Sequence, residues 1–233
     1  MDQANPLIRI DNPGPRTAGT GWFRFRIGEM EATVVSGGRM RPHSTADFFP
    51  DIAIAELEPT KARAGIDADY FRMEQNCLIL RYDGRVVLFD TGVGQDQVSG
   101  WEASGILMQS MARGGIESAE VTDIVMTHAH YDHVWDMVSD DRAVLFRNAR
   151  AYLSRVEVDY WTDTAKLPLG GFTATCVSGA CRNLLPCLDR TTAIEEGQEI
   201  LPGIVAIGPP RAIRLATFLT ASDPKTTAKA VCV

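Results

Sequence analysis

Residues 127 to 133 read Thr-His-Ala-His-Tyr-Asp-His and hold three of the chain's four histidines, His128, His130 and His133, with Asp132 beside the last. Imidazole and carboxylate groups both bind zinc or a similar ion near neutral pH, without the proton loss that a thiol requires. Spacing adds geometry. In an extended segment, side chains at i and i+2 point the same way, so His128 and His130 can grip one ion together. Asp132 and His133 come after the chain begins to turn and can face a second ion. Two ions about 3.5–4 Å apart would hold a bridging hydroxide and clamp the oxygens of a hydrolytic transition state. A lone histidine is more often a core or surface residue than a ligand. Three with an aspartate, directly behind an apolar strand, make structural use the weaker explanation. His43, isolated between Pro42 and Ser44, is read as a loop residue.

The segment that delivers this cluster is VTDIVMTH, a short buried strand, and Asp132 to Val138 are expected to open a helix, which puts the histidines at a strand-to-helix junction. Upstream, WFRFRIGEMEATVVSGG alternates on both sides of Gly28-Glu29 and reads as a hairpin. NCLILRYDGRVVLFDTG is a second, because Asp83-Gly84 supplies the positive φ of a type I′ turn. Between them, residues 39 to 69 form a long excursion with one short helix. Trp101, Ile106, Leu107 and Met111 make one helical stripe that stops at Gly114-Gly115. ARAYLSRVEVDYW reads as a strand running into a short helix. A loop with Pro168, Gly170 and Gly171, a helix around 180 to 188 and a strand pair in QEILPGIVAIGPP follow. Residues 1 to 21, rich in Pro, Gly, Asn and Thr, read as a mobile lead-in or a surface strap.

Bulk properties narrow the partners. With 233 residues and 45% apolar content, the chain can bury the core of one domain. A net charge of −7, without basic runs, argues against duplex nucleic acid or an anionic membrane and favours a small-molecule substrate. With no signal-peptide pattern and no apolar run long enough to span a bilayer, a cytoplasmic location is expected, and a homodimer is compatible. The five cysteines are odd in number and lack Cys-x-x-Cys spacing. A small metal site at Cys176, Cys181 and Cys187 is conceivable, but buried, inert thiols are the better reading.

THAHYDH resembles the signature of the metallo-β-lactamase superfamily, His-x-His-x-Asp-His after a buried strand, and Asp90-Thr91-Gly92 at the end of VVLF resembles its upstream turn. RNARAYLSRVEVDYW and EILPGI are similar to the branch with acyl-homoserine lactonases, methyl-parathion-hydrolase-like enzymes and hydrolytic dehalogenases. The resemblance covers about residues 22 to 208. It implies an α/β fold, an αββα sandwich incomplete at its C-terminus, and two zinc ions. His128 and His130 would bind the first ion, Asp132 and His133 the second. Asp132 would also steer a proton, and Asp90 would brace the metal-bearing loops without binding. The implied activity is hydrolysis of a small ester, lactone or organophosphate-like substrate through a metal-bound hydroxide. Aromatic dehalogenation is the alternative, thioester hydrolysis ranks third, and an inactive, metal-poor member is the rival from outside enzymology. Where the family often has glycines after the last histidine, this chain has Val134, Trp135 and Asp136, and bulky Trp135 is expected to reshape the pocket wall.

The same resemblance asks for more than the chain supplies: a histidine from a GHTPGH-like segment, a bridging aspartate and a last histidine. None follows His133. Codons chosen from those allowed for Pro210 to Thr217, read one frame over, spell Pro-Gly-His-Thr-Pro-Gly-His. Residues 209 to 233 are therefore expected to be a non-native tail without the family's strands, with a naturally shortened paralogue as the competing explanation.

Overall fold

The two hairpins form at the turns their sequences encode. Asp83 and Gly84 both take positive φ, 48° and 72°, as a type I′ turn requires, and Gly28 does so at 56° in the other hairpin. The computed structural model describes residues 8–9, 21–39, 43–44, 49, 51–65, 70–71, 74–94, 105–207, 217–220 and 229–231. Trp101 and the outer parts of the 39–69 excursion thus lie outside the described residues.

In chain order the strands begin with β1 (Ile8–Arg9), β2 (Trp22–Ile27), β3 (Met30–Arg39) and the short β4 (His43–Ser44). Helix α1 (Ile54–Arg63), β5 (Tyr70–Phe71), β6 (Glu74–Tyr82), β7 (Arg85–Phe89), α2 (Leu107–Arg113) and β8 (Asp123–Val125) follow. Then come α3 (Tyr131–Val134), β9 (Arg150–Ser154), α4 (Arg155–Trp161), α5 (Gly171–Asn183), β10 (Thr191–Ile194), β11 (Glu199–Leu201), β12 (Ile204–Ala206), β13 (Thr217–Thr220) and β14 (Lys229–Val231). One sheet of eight strands runs β1-β2-β3-β6-β7-β8-β9-β10, and a second of four runs β11-β12-β13-β14. The first is antiparallel through its hairpins and parallel from β7 to β10.

Strand β7 shows why the sequence makes layers. Val86 and Leu88 join one apolar cluster, and Val87 and Phe89 join another, because successive side chains leave a strand on opposite faces. The first cluster packs that sheet against α2, α3, α4 and α5 through Leu107, Met111, Val134, Trp161, Val177 and Ala180. The second packs it against Leu201, Ile204 and Ala206 of the smaller sheet. A strand buried on both faces reads as a continuous apolar run, as VVLF does.

Three expectations need correction. The helix read near 180 to 188 begins at Gly171, and a 3-10 segment, Leu185–Arg190, follows it. Thr173 and Thr175 are weak helix formers, but Cys176, Val177, Ala180 and Leu184 fall on one stripe buried in the core, and that burial outweighs propensity. The helix expected over Asp132 to Val138 is one turn, Tyr131–Val134, continued by a 3-10 turn with Asp136 off helical geometry. The C-terminal tail adds two strands: β13 pairs antiparallel with β12 and β14 with β13. Thr-Phe-Leu-Thr is a β-prone run, and β12 offers it a free edge. In the N-terminal lead-in, Ile8–Arg9 pairs with β2.

Gly179 sits in α5 directly against the Trp135 indole, where an added Cβ would overlap the ring. In a helix interior Gly→Ala ordinarily stabilises by about 0.5–1 kcal/mol. Here Gly179→Ala is expected to destabilise by roughly 1–3 kcal/mol through overpacking, read as a lower midpoint in urea denaturation.

Candidate active site

Asp90 ends β7 in the left-handed region, at φ 58°, with its own N–H donating to Val125 O at 3.1 Å across to β8. That conformation costs energy in a residue other than glycine, and here it turns the carboxylate toward the start of the histidine motif. Asp90 Oδ1 accepts the Thr127 N–H at 2.7 Å, and Oδ2 lies 2.9 Å from Thr127 Oγ1 and 2.8 Å from His133 Nδ1. Thr127 Oγ1 lies 3.0 Å from His128 Nδ1 and 3.1 Å from His133 Nδ1. One carboxylate and one hydroxyl thus touch both ends of the cluster.

Thr91 and Gly92 complete the clamp. The N–H and hydroxyl of Thr91 both donate to His133 O, at 2.7 and 3.1 Å, and Gly92 O accepts from the backbone of Trp135 and Asp136. Gln75, on β6, donates to Asp132 O at 2.7 Å and accepts from Val93 N–H at 3.3 Å. The Asp-Thr-Gly turn and β6 therefore hold the backbone of the one-turn helix that carries Asp132 and His133.

The four residues read as ligands stand together. His128 Nε2 is 3.0 Å from His130 Nδ1, and His133 Nε2 is 3.4 Å from Asp132 Oδ2. The His128 and His133 ring centroids are 3.9 Å apart. Burial opposes a charge on His133, but the carboxylates of Asp90 and Asp132 outweigh it and push its pKa up to about 10. Burial likewise opposes ionisation of Asp132, and the facing His133 overcomes it, leaving the carboxyl below its usual range. These donor types suit zinc, yet they meet in pairs. Among the described residues no group of three or more His, Cys, Asp or Glu forms an ion-holding set.

Around His130 the wall is aromatic: Trp161 lies edge-on at 4.8 Å and half-exposed Phe172 at 5.0 Å. Trp135, expected to line the pocket, is buried in the helix layer beside Gly179. Of the cysteines, Cys181 is half-buried and Cys232 lies outside the described residues. Cys176 and Cys187 are fully buried, and burial pushes the Cys176 thiol up to about 11. His43 falls in β4, with nothing described of its side chain. Residues 208–216, where the frame change was placed, lie outside the described residues.

Sequence reasoning missed Thr127, Gln75, Glu157 and Phe172. Glu157 and Trp161 share a helix face at i and i+4, which was a usable signal; Gln75 carried none.

The profile of the Metallo-beta-lactamase superfamily matches residues 71–139, the stretch from β5 through the histidine motif. Over that stretch, under a third of the chain, the sequence is similar to the superfamily. Among solved structures it is similar to AidC, a dizinc quorum-quenching lactonase in complex with a product. The identity is 20% and the TM-score 0.73, over 87% of this chain and 71% of that one. It is similar too to the hydrolase AbOPH, at 19% identity and TM-score 0.75, over 86% and 70%. A mutant of AiiA from B. thuringiensis with N-decanoyl-L-homoserine at its active site matches at 15% identity and TM-score 0.55, over 81% and 70%. These likenesses are of fold. No curated protein matches the chain. No described helix is long and apolar enough to cross a membrane.

Next to the histidine motif, Asp136 is 6% exposed, and burial, with the charge of Asp140 added, pushes its carboxyl up to about 7 from 3.8. A carboxyl with a raised folded pKa favours the fold when protonated, so its contribution is full below about pH 4 and lost as pH rises to about 7. Asp136→Asn is expected to match the wild type in urea denaturation at pH 4 and to exceed it at pH 8, by on the order of 2–4 kcal/mol.

Proposed function

We propose that this chain is a metal-dependent hydrolase of a small ester, lactone or organophosphate-like substrate, with zinc as its metal. The observation that carries this is the pairing of His128 with His130 and of Asp132 with His133 around one braced turn. His128 and His130 would hold one ion, Asp132 and His133 a second. Bound zinc supplies Lewis acidity, easing ionisation of water and stabilising negative charge on the substrate oxygen. The chain's own residues do the rest. Asp132 would orient the attacking water and carry its proton toward the leaving group. Asp90 and Thr127 hold the His133 and His128 rings by their Nδ1 sides, which keeps each Nε2 turned away from the brace. Support comes also from the folds of the lactonase and hydrolase structures above.

A second reading is hydrolytic dehalogenation of an aromatic ring, favoured by the Trp161 and Phe172 rings beside His130. A chain that binds without catalysing rests on the donors meeting in twos.

The test is zinc content of the purified chain with a panel of a lactone, an aryl phosphotriester, a thioester and a haloaromatic. Expected are at least one zinc per chain and turnover of the lactone or phosphotriester. Asp132→Asn should lower kcat at least about 100-fold. Halide release alone would favour the second reading. No zinc and no turnover would overturn both.

A further inference from the structure

Glu157 sits in the first turn of α4, 1% exposed, on the helix-layer side of the large sheet. Its Oε2 accepts two donors: the backbone N–H of Ala129 at 3.0 Å and the indole Nε1–H of Trp161 at 2.9 Å. Both lead to the same place. Ala129, fully buried, is the single residue between His128 and His130, so holding its amide fixes the peptide planes from which both side chains leave. Trp161 is the ring standing edge-on to His130 at 4.8 Å. One oxygen atom therefore controls the backbone of the histidine pair and the wall behind one of its rings.

The energetics argue that this is more than packing. Burying a carboxylate is costly before its hydrogen bonds are counted, and an apolar side chain of similar volume usually serves a core position as well or better. On the other side of the motif, nearer the surface, Asp90 braces Thr127 and His133. Glu157 does for the His128–His130 half what Asp90 does for the Asp132–His133 half. Neither Thr127 nor the Asp-Thr-Gly turn makes a hydrogen bond to the Ala129 amide, so the Asp90 brace does not fix that peptide.

We infer that Glu157 is a positioning residue, which sets the His128–His130 pair for a divalent cation by accepting from Ala129 and Trp161 through one oxygen. The geometry is what it supplies, and a neutral oxygen in the same place suffices. The cation part of this statement rests on the hydrolase reading; the positioning part stands in the metal-free protein.

Two readouts separate those parts. In metal-free full-length chain, imidazole ¹⁵N shifts report the tautomers and hydrogen bonds of each histidine. Glu157→Gln, which keeps an oxygen acceptor, should leave all three motif histidines as in wild type. Glu157→Leu should move the His128 and His130 signals and leave His133, which the Asp90 brace still holds. If Glu157→Leu fails to fold, Trp161→Phe removes one donor while keeping a ring, and should shift His130 but not His133. Cobalt titration followed by its visible absorption then reads the cation: Glu157→Gln within about threefold of wild type, Glu157→Leu weaker by at least about tenfold. The inference is overturned if Glu157→Leu and Trp161→Phe leave His128 and His130 unmoved, or if Glu157→Gln disturbs them as much as leucine does. Wild type that takes up no cobalt would sink the hydrolase reading alone, with the shifts still deciding the positioning role.

Discussion

The Asp90 carboxylate is the contact on which the rest of the site depends. It lies at the end of a central strand, in a backbone conformation that a side chain other than glycine's adopts at a cost, and it takes hydrogen bonds from Thr127 and His133 at once. A half-buried carboxylate so placed depends on its partners, because losing either leaves an oxygen without its donor. The motif therefore cannot relax separately from β7. The strand end, the threonine and the last histidine move as one unit, and His128 is tied in through the Thr127 hydroxyl.

That unit needs a rigid floor. The floor is the run of parallel strands β7, β8 and β9, buried on both faces by Leu88, Ile124 and Ala151 on one side and Phe89, Val125 and Tyr152 on the other. Helices above it contribute the braces that close the site from the opposite direction: Glu157 and Trp161 from α4, Phe172 from α5. Half of the motif is held from the sheet and half from the helix layer. The packing of Trp135 into α5 at Gly179 links the two, since Trp135 leaves the motif directly and its backbone N–H is bound to Gly92.

Much of this was legible in the residues. Alternation marked the hairpins, Asp-Gly marked a turn, and the spacing of His128, His130, Asp132 and His133 marked their pairing, because each of these is a local rule. What was not legible was long-range. Gln75 reaches Asp132 across 57 positions and Glu157 reaches Ala129 across 28, and nothing in local spacing announces either. The α5 boundary failed for a related cause: Gly170-Gly171 read as a loop, while burial of Cys176, Val177 and Ala180 drew the helix back to Gly171. Trp135 is bulky enough for a pocket wall, and only the glycine opposite it shows where the indole goes.

The most direct measurement is a pH titration of the imidazole ¹⁵N signals of His133 in metal-free wild type and in Asp90→Asn. With the Asp90 carboxylate facing it, wild-type His133 should stay protonated through pH 8, in keeping with a pKa of about 10, and should titrate at least about one to two pH units lower in the variant. A His133 that titrates near its ordinary 6.5 in wild type, or at the same pH in both proteins, would contradict Asp90 as the organising contact.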